Sequence, residues 1–187
     1  MEYHLTAPMS LEDSKKLRVG DRVYLSGTIY TGRDAAHKRF VEALDRGEDL
    51  PFPVEGSVIF FVGPSPAAPG QVIGACGPTS SYRMDAFSPR LLALGQRAMI
   101  GKGKRSPEVI QAMQDHGAVY LAAVGGAGAL LAGCVKSAEV IAYEDLGAEA
   151  VRKLQVESMP LLVVIDSQGH NLYESGPAAW RAEHGYA

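Results

Sequence analysis

The sequence has few cysteines, no excess of positive charge and no long apolar run, and each shortage excludes a class of protein. Its two cysteines, Cys76 and Cys134, lie far apart and form no CxxC pair, which excludes a disulfide framework and a zinc site. The net charge of −3 provides no general positive field for nucleic acid or for an anionic membrane. No apolar run approaches the roughly 20 residues that span a bilayer, and residues 1–16 lack the apolar centre of a signal peptide. We therefore expect a cytoplasmic protein that binds neither nucleic acid nor membrane.

Strands and helices alternate along the 187 residues, a length that suits one well-packed domain. The 21 glycines indicate many tight turns and close backbone approaches. Periodicity and turn residues predict strands over 22–29, 54–62, 71–76, 97–100, 118–124 and 138–143, helices over 33–46, 88–94, 106–116 and 126–134, a helix start near Asp85, and a hairpin over 161–173. This order predicts one α/β domain with some antiparallel pairing.

The stretch from Gly77 to Asp85 combines a sharp turn with groups that bind anions. Gly77-Pro78 fixes the turn, three hydroxyl residues follow, and Arg83 comes two residues later. Aligned backbone N–H groups, hydroxyls and a guanidinium suit an anion. The same residues are also typical of a polar loop that caps a helix beginning near Asp85. The stretch alone leaves both interpretations open.

Two glycine-rich stretches have the wrong spacing for a nucleotide site. Gly101-Lys102 is followed by Gly103, where a phosphate-binding loop requires Ser or Thr for magnesium. In the stretch 125–128, the third glycine of a dinucleotide fingerprint would fall at Leu131. The small residues there fit close packing of a helix on a sheet better than they fit ATP or NAD.

Cations recur at three predicted helix starts, where the helix dipole disfavours them. They are Arg33, Arg83 and the group Lys102, Lys104 and Arg105. An anion bound among them would turn each unfavourable interaction into an attraction, and a small di- or polycarboxylate matches two guanidiniums and an ammonium. For Lys104 and Arg105 the alternative is an ordinary surface position. For Arg33, Arg83 and Lys102 together we favour one shared site.

Four motifs in this order resemble the C-terminal domain, or β subunit, of class I fumarases and L-tartrate dehydratases. They are Thr31-Gly-Arg-Asp-Ala-Ala-His-Lys38, Gly77-Pro-Thr-Ser-Ser-Tyr-Arg-Met-Asp85, Ile100-Gly-Lys-Gly103 and Val124-Gly-Gly-Ala127. The similarity extends over about 19–180, almost the whole chain. The stretch 143–147 and the terminal 176–180 look more like the fumarase branch than the tartrate branch.

The resemblance implies a swivelling three-layer β/β/α domain with a mixed sheet. It also implies the reversible addition of water to fumarate, giving L-malate, with a four-iron, four-sulfur cluster that three cysteine thiolates hold. This chain has two cysteines and lacks the family's cluster-binding portion. We therefore expect a β subunit that is catalytic only with a separate α subunit carrying the cluster, and the resemblance suggests an α₂β₂ assembly with homodimer contacts.

By motif position, the resemblance assigns the substrate carboxylates to Arg33, Arg83 and Lys102. It assigns proton transfer to Thr79, whose hydroxyl requires a strongly electropositive surrounding to act as a base. Ser80 stands where the family usually has a second Thr, and it retains the hydroxyl. Asp34 and His37 lie in a matching motif as orienting or structural groups, with Asp34 a candidate partner for Arg33.

Two alternatives to a fumarase β subunit stay open at this point. The same residues would serve an L-tartrate or methyl-substituted dicarboxylate dehydratase. A non-catalytic binding module of the same fold is disfavoured because Arg33, Thr79, Arg83 and Lys102 are all retained.

Overall fold

The computed structural model describes residues 1–123 and 126–185 and contains seven strands and six α-helices within those residues. The predicted strand end at Val124, and the residues Val124 and Gly125 of the fourth motif, lie outside the described residues. The strands are β1 (Glu2–Ala7), β2 (Arg22–Thr31), β3 (Val58–Phe60), β4 (Ala98–Gly101), β5 (Val119–Ala122), β6 (Val135–Ala142) and β7 (Val151–Ile165). The helices are α1 (Leu11–Lys16), α2 (Asp34–Asp45), α3 (Ser88–Ala93), α4 (Pro107–His116), α5 (Gly128–Gly133) and α6 (Leu172–His184).

Four neighbouring strands, β2, β3, β4 and β5, run parallel and form the part of the sheet that carries the site. Thr31 pairs with Phe60, and Phe60 with Ile100, so the carboxyl ends of β2, β3 and β4 lie side by side. Helices follow these strands in the chain, as crossover connections between parallel strands require. The predicted α/β class is confirmed.

The long strand β7 closes the sheet on itself. It pairs antiparallel with β2 over most of its length, with β5 near its end, and with the edge strand β6. Strands β2, β3, β4, β5 and β7 therefore form a closed ring, with β1 added on the outer edge of β2. The mixed sheet thus has a parallel wall and an antiparallel wall.

Side chains that alternate along each ring strand form two separate cores, because successive residues of a strand face opposite sides. The first core contains Val58 and Phe60 of β3 and buried residues of the other four ring strands, so it fills the ring. The second contains Ile59 with buried residues of α2, α3 and α4. The order of layers is helices, parallel wall, antiparallel wall, as expected for a three-layer domain.

Helix α4 begins and ends where its sequence predicts. The Ser106 hydroxyl accepts a hydrogen bond from the Val109 N–H, and Pro107 stands at the first helical position. At the other end Gly117 adopts a left-handed conformation with φ 68°.

Several predicted elements were wrong. The stretch 71–76 is irregular, since Cys76 N–H bonds to Gly128 and the segment joins no ladder. The predicted strand 54–62 shortens to Val58–Phe60. The expected hairpin is limited to one antiparallel bridge between Ile165 and Asn171 across a turn that the Asp166 carboxylate holds, and Asn171 then caps α6. Strand β1, helix α1 and helix α6 were not predicted.

The predicted helix start near Asp85 was also wrong. A 3₁₀ turn over Ser81–Met84 occupies that place, and the next α-helix begins at Ser88. No helix within residues 1–123 and 126–185 has the length and apolar character needed to cross a bilayer.

Candidate functional site

The predicted site residues follow three neighbouring parallel strands at the same edge of the sheet. Arg33 comes two residues after β2, and Lys102 directly follows β4. Thr79 is tied to the end of β3, because its N–H donates to the Phe61 carbonyl over 2.7 Å. In both open α/β sheets and closed α/β barrels, ligands bind at this edge, outside the carboxyl ends of the parallel strands.

Backbone hydrogen bonds hold the threonine loop, defined here as residues 77–83, against Lys102. The Lys102 N–H donates to the Thr79 carbonyl over 3.3 Å, and the Ser81 N–H donates to the Lys102 carbonyl over 2.9 Å. Ser80 and Lys102 thus pair as a short parallel bridge. The structure brings the second and third sequence motifs together although about twenty residues separate them in the chain.

Three of the predicted site side chains have no polar partner within the part of the chain that the structure describes. Neither a hydrogen bond nor an ion pair forms at the side chains of Thr79, Arg83 and Lys102. Arg83 and Lys102 are exposed, and Thr79 and Ser80 are half-buried. A hydroxyl, a guanidinium and an ammonium are therefore available for a ligand.

Arg33 caps the start of α2 with an extended backbone, and two carboxylates flank its guanidinium. Its Nη2 lies 3.1 Å from Glu149 Oε1 and 3.6 Å from Asp34 Oδ1. Gly63 packs closely on the same side chain, since a Cβ there would stand 3.2 Å from Arg33 Nη1. The contact with Asp34 agrees with an orienting partner, a role that stays a prediction. Glu149 was missed by the sequence analysis because it lies in a different element.

His37 is packed inside the protein beneath Arg33. Its Nδ1 lies 2.9 Å from the Arg33 carbonyl oxygen, and its ring contacts the edges of Phe40 and Phe61. Because a carbonyl only accepts, Nδ1 carries the hydrogen. Burial lowers the pKa of His37 to about 4, so the imidazole is neutral near pH 7. The contact with the Arg33 backbone agrees with a structural role for His37, which stays a prediction.

Arg105 is not the surface cation that the sequence analysis allowed. Its guanidinium is fully buried, donates to Asp85 Oδ1 over 2.7 Å and to Ser88 Oγ over 2.8 Å, and lies over the Phe61 ring. Asp85 also accepts the Ser106 N–H over 2.8 Å. The ion pair therefore fixes Asp85, two residues after the threonine loop, to the start of α4, which explains why a cation precedes that helix.

The two cysteines do not fit an iron–sulfur cluster, because the cluster of the family that the sequence resembles requires three thiolates. Burial raises the pKa of the Cys76 thiol to about 11, and that thiol donates to the Gly74 carbonyl. Burial also raises the pKa of Cys134. Among the described residues, no three His, Cys, Asp or Glu side chains are grouped to hold a metal ion.

Two surface grooves lie apart from the predicted site residues. One groove of about 410 Å³ lies between residues 71–75 and α5, and another of about 590 Å³ lies beyond the end of α2. Arg33, Thr79, Arg83 and Lys102 line neither groove.

The fold and the order of the site residues define a domain of the Fumarase C-terminus family. That family matches residues 1–176, and the chain therefore belongs to it. The family resemblance of the sequence is confirmed.

Relatives of two kinds are similar to nearly the whole chain. The chain is 38% identical over 174 residues to "Fumarate hydratase class I, aerobic" of Salmonella typhimurium, which covers 91% of this chain and 30% of that protein. It is 41% identical over 180 residues to "Putative L(+)-tartrate dehydratase subunit beta" of Methanocaldococcus jannaschii, covering 93% of this chain and 92% of that protein. With "Putative fumarate hydratase class I" of Geobacillus stearothermophilus the identity is 35%, over 91% and 33% of the two chains. The chain thus spans about a third of the length of these fumarate hydratases.

Proposed function

We propose that this chain is the β subunit of a hydro-lyase that interconverts fumarate and L-malate. The observation that carries the proposal is the backbone hydrogen bond from Lys102 to Thr79 at a sheet edge that also presents Arg33. A hydroxyl with no polar partner on a loop that also carries a cation is the arrangement that proton transfer next to a carboxylate requires.

Arg33, Arg83 and Lys102 bind the two substrate carboxylates in this proposal. A guanidinium holds a carboxylate through two parallel hydrogen bonds, and an ammonium adds a point charge. Arg83 and Lys102 are exposed and have no ion pair among the described residues, so an incoming dianion does not have to displace a protein carboxylate from them. Ser80, with its half-buried hydroxyl, is a further donor at the same loop.

Thr79 transfers the proton in this proposal. In the direction of dehydration, its Oγ1 takes the proton from the carbon next to a carboxylate while the hydroxyl group leaves the neighbouring carbon. In the direction of hydration, the same oxygen returns the proton. The cations around the loop favour the negative charge on Oγ1 that this role requires. The departing hydroxide is accepted outside this chain.

A second polypeptide completes the site in this proposal. It is an α subunit that holds a four-iron, four-sulfur cluster, because the donor set of this chain does not fit one. Support comes from the relative named as a subunit beta, of which the chain covers 92%. We extend the proposal to an α₂β₂ assembly in the cytoplasm, where the thiols of Cys76 and Cys134 would stay reduced.

A tartrate dehydratase β subunit is the second candidate. It is favoured by the 41% identity to the relative of that name, whereas stretch 143–147 and the terminal 176–180 favour fumarate. A non-catalytic module is disfavoured, because such a module has no use for Thr79, Arg83 and Lys102 held together without polar partners.

The test is an anaerobic hydratase assay of this chain, alone and mixed with a candidate cluster-bearing subunit, on fumarate and then on L-tartrate. We expect malate formation in the mixture and none with either subunit alone. Turnover of tartrate but not of fumarate would select the second candidate. No turnover of either substrate by a mixture whose cluster is intact would overturn both.

A further inference from the structure

Two tyrosines outside the sequence motifs hold both backbone groups of Gly103, the residue after Lys102. Tyr120 of β5 is fully buried, and its hydroxyl donates to the Gly103 carbonyl over 3.0 Å. Tyr173 of α6 accepts the Gly103 N–H over 3.0 Å. The glycine is exposed, yet two hydroxyls from different elements fix its peptide groups.

Tyr120 also reaches the threonine loop. Its hydroxyl oxygen lies 2.7 Å from the Ser81 Oγ, in the buried interior. The direction of this chain of hydrogen bonds follows from the groups involved. A carbonyl only accepts, so the single hydrogen of Tyr120 goes to Gly103, and Ser81 must donate its hydrogen to Tyr120. Burial raises the pKa of Tyr120, which keeps that hydrogen in place.

The two loops that Tyr120 connects are in close contact. A Cβ on Gly101 would stand 2.1 Å from Ser81 Oγ, so no larger residue fits between them. Backbone bonds join Lys102 to Thr79 and Ser81 on one side of this contact. The hydroxyl chain from Ser81 through Tyr120 to Gly103 joins the same two loops on the other side.

We propose that Tyr120 is a positioning residue that fixes the separation of Thr79 and Lys102, with Tyr173 supporting the lysine side. This inference rests on the proposed function, in which both residues act on one substrate. Displacement by about 1 Å at a reacting centre lowers a rate by about 10²-fold. Tyr120 itself touches no substrate, because it is buried beneath the loops.

The first test replaces one hydroxyl at a time in the assembled enzyme. Tyr120→Phe retains the ring and removes the connection, and we expect kcat to fall roughly 10- to 100-fold. Tyr30→Phe is the matched control, since Tyr30 is half-buried and its hydroxyl makes no hydrogen bond to a described residue. In a Lys102→Met background, Tyr120→Phe should lower kcat by a much smaller factor than it does in the wild type, because Tyr120 acts through Lys102. Equal costs in the two backgrounds would overturn the proposal.

The second test measures amide hydrogen exchange and does not depend on activity. In Tyr120→Phe the amides of residues 79–83 and 101–104 should exchange roughly 10-fold faster, as loss of a hydrogen bond predicts. If that variant does not fold, Tyr173→Phe, at a half-buried position, replaces it in the test, and the amide exchange rates of residues 101–104 are the readout. Unchanged exchange in these segments would show that the tyrosines do not hold the loops. Should the wild-type mixture prove inactive, the proposed function fails while the exchange result still decides this inference.

Discussion

The Arg33 guanidinium forms an ion pair with the carboxylate of Glu149, whose Oε1 lies 3.1 Å from Arg33 Nη2. Both side chains are about three-quarters buried, with exposures of 22% and 24%. Arg33 Nε and Glu149 Oε2 are buried without a hydrogen-bond partner among the described residues. Glu149 ends the 3₁₀ segment Glu144–Glu149 that leads into β7. A protein carboxylate thus stands beside the arginine to which we assign a substrate carboxylate.

Replacement of Glu149 by Gln should lower the KM for the dicarboxylate about 2- to 5-fold in the assembled enzyme. Gln retains an oxygen that accepts from Arg33, so the side chain stays oriented, while the negative charge that competes with the substrate is removed. Glu149→Ala removes the orienting contact too and should raise KM. Steady-state kinetics measures both. Glu144→Gln is the control, since Glu144 is exposed and forms no ion pair among the described residues. An unchanged KM in Glu149→Gln would make the pair purely structural.

Replacement of Thr79 by Ala should lower kcat by about 10²- to 10⁴-fold, the usual contribution of a proton-transfer group. KM should change little, because the cations that hold the carboxylates remain. Thr79→Ser keeps the hydroxyl and should retain part of the rate. Arg83→Met provides the contrast, since loss of a carboxylate ligand should raise KM as well as lower kcat. A Thr79→Ala enzyme with wild-type kcat removes Thr79 from the mechanism.

The parts of the fold that were predicted correctly are those with local signals. Helix α4 carries its cap, its first-turn proline and its terminal glycine within the twelve positions 106–117, and the structure agrees at both ends. In strand β7 only residues 161–165 were predicted, because Ser158 and Pro160 interrupt the pattern before them. The strand extends over 15 residues because β2 offers a partner across the ring, as in the pairing of Met159 with Leu25. The sequence of one segment alone does not predict which distant segment it pairs with.

The same distinction applies to the site. Thr79 and Lys102 belong to compact motifs, and the structure joins these motifs by backbone hydrogen bonds. Glu149 as a partner of Arg33 and Asp85 as a partner of Arg105 were not found, since an ion pair between elements leaves no periodic trace in the sequence. For Arg105 an ordinary surface position stayed open, because no residue near it in the sequence indicates an ion pair with Asp85, twenty positions earlier.

Breaking the Asp85–Arg105 pair should destabilise the protein strongly. Arg105 is fully buried and the Asp85 side chain is 14% exposed, so Asp85→Ala leaves a charge without its partner. Such losses cost about 3–5 kcal/mol, which corresponds to a fall in Tm of roughly 10 °C for a domain of this size. Thermal unfolding followed by circular dichroism measures the change. The exposed pair of Arg39 and Asp145 is the control, and Asp145→Asn should leave Tm nearly unchanged. Similar small shifts in Tm for both variants would contradict a large contribution of the buried Asp85–Arg105 pair to stability.

The buried imidazole of His37 should make the protein less stable in mild acid. Its pKa is about 4 in the folded protein and near 6.5 when exposed, so the unfolded chain binds the proton more readily between these values. Stability from His37 is therefore complete above pH 6.5 and is lost as the pH falls toward 4, a change of about 3 kcal/mol.

Urea unfolding at half-unit pH steps measures this dependence. The readout is the slope of the unfolding free energy against pH, because a substitution also changes the absolute stability. His37→Asn places an amide N–H near the position of Nδ1–H and has no proton to gain in this range. It should flatten the curve between pH 4 and 6.5. His4→Gln is the control, since His4 is exposed and its replacement should leave the slope as in the wild type. A His37→Asn protein that retains the full acid dependence would assign that dependence to the carboxylates, and His37 would then titrate normally despite its burial.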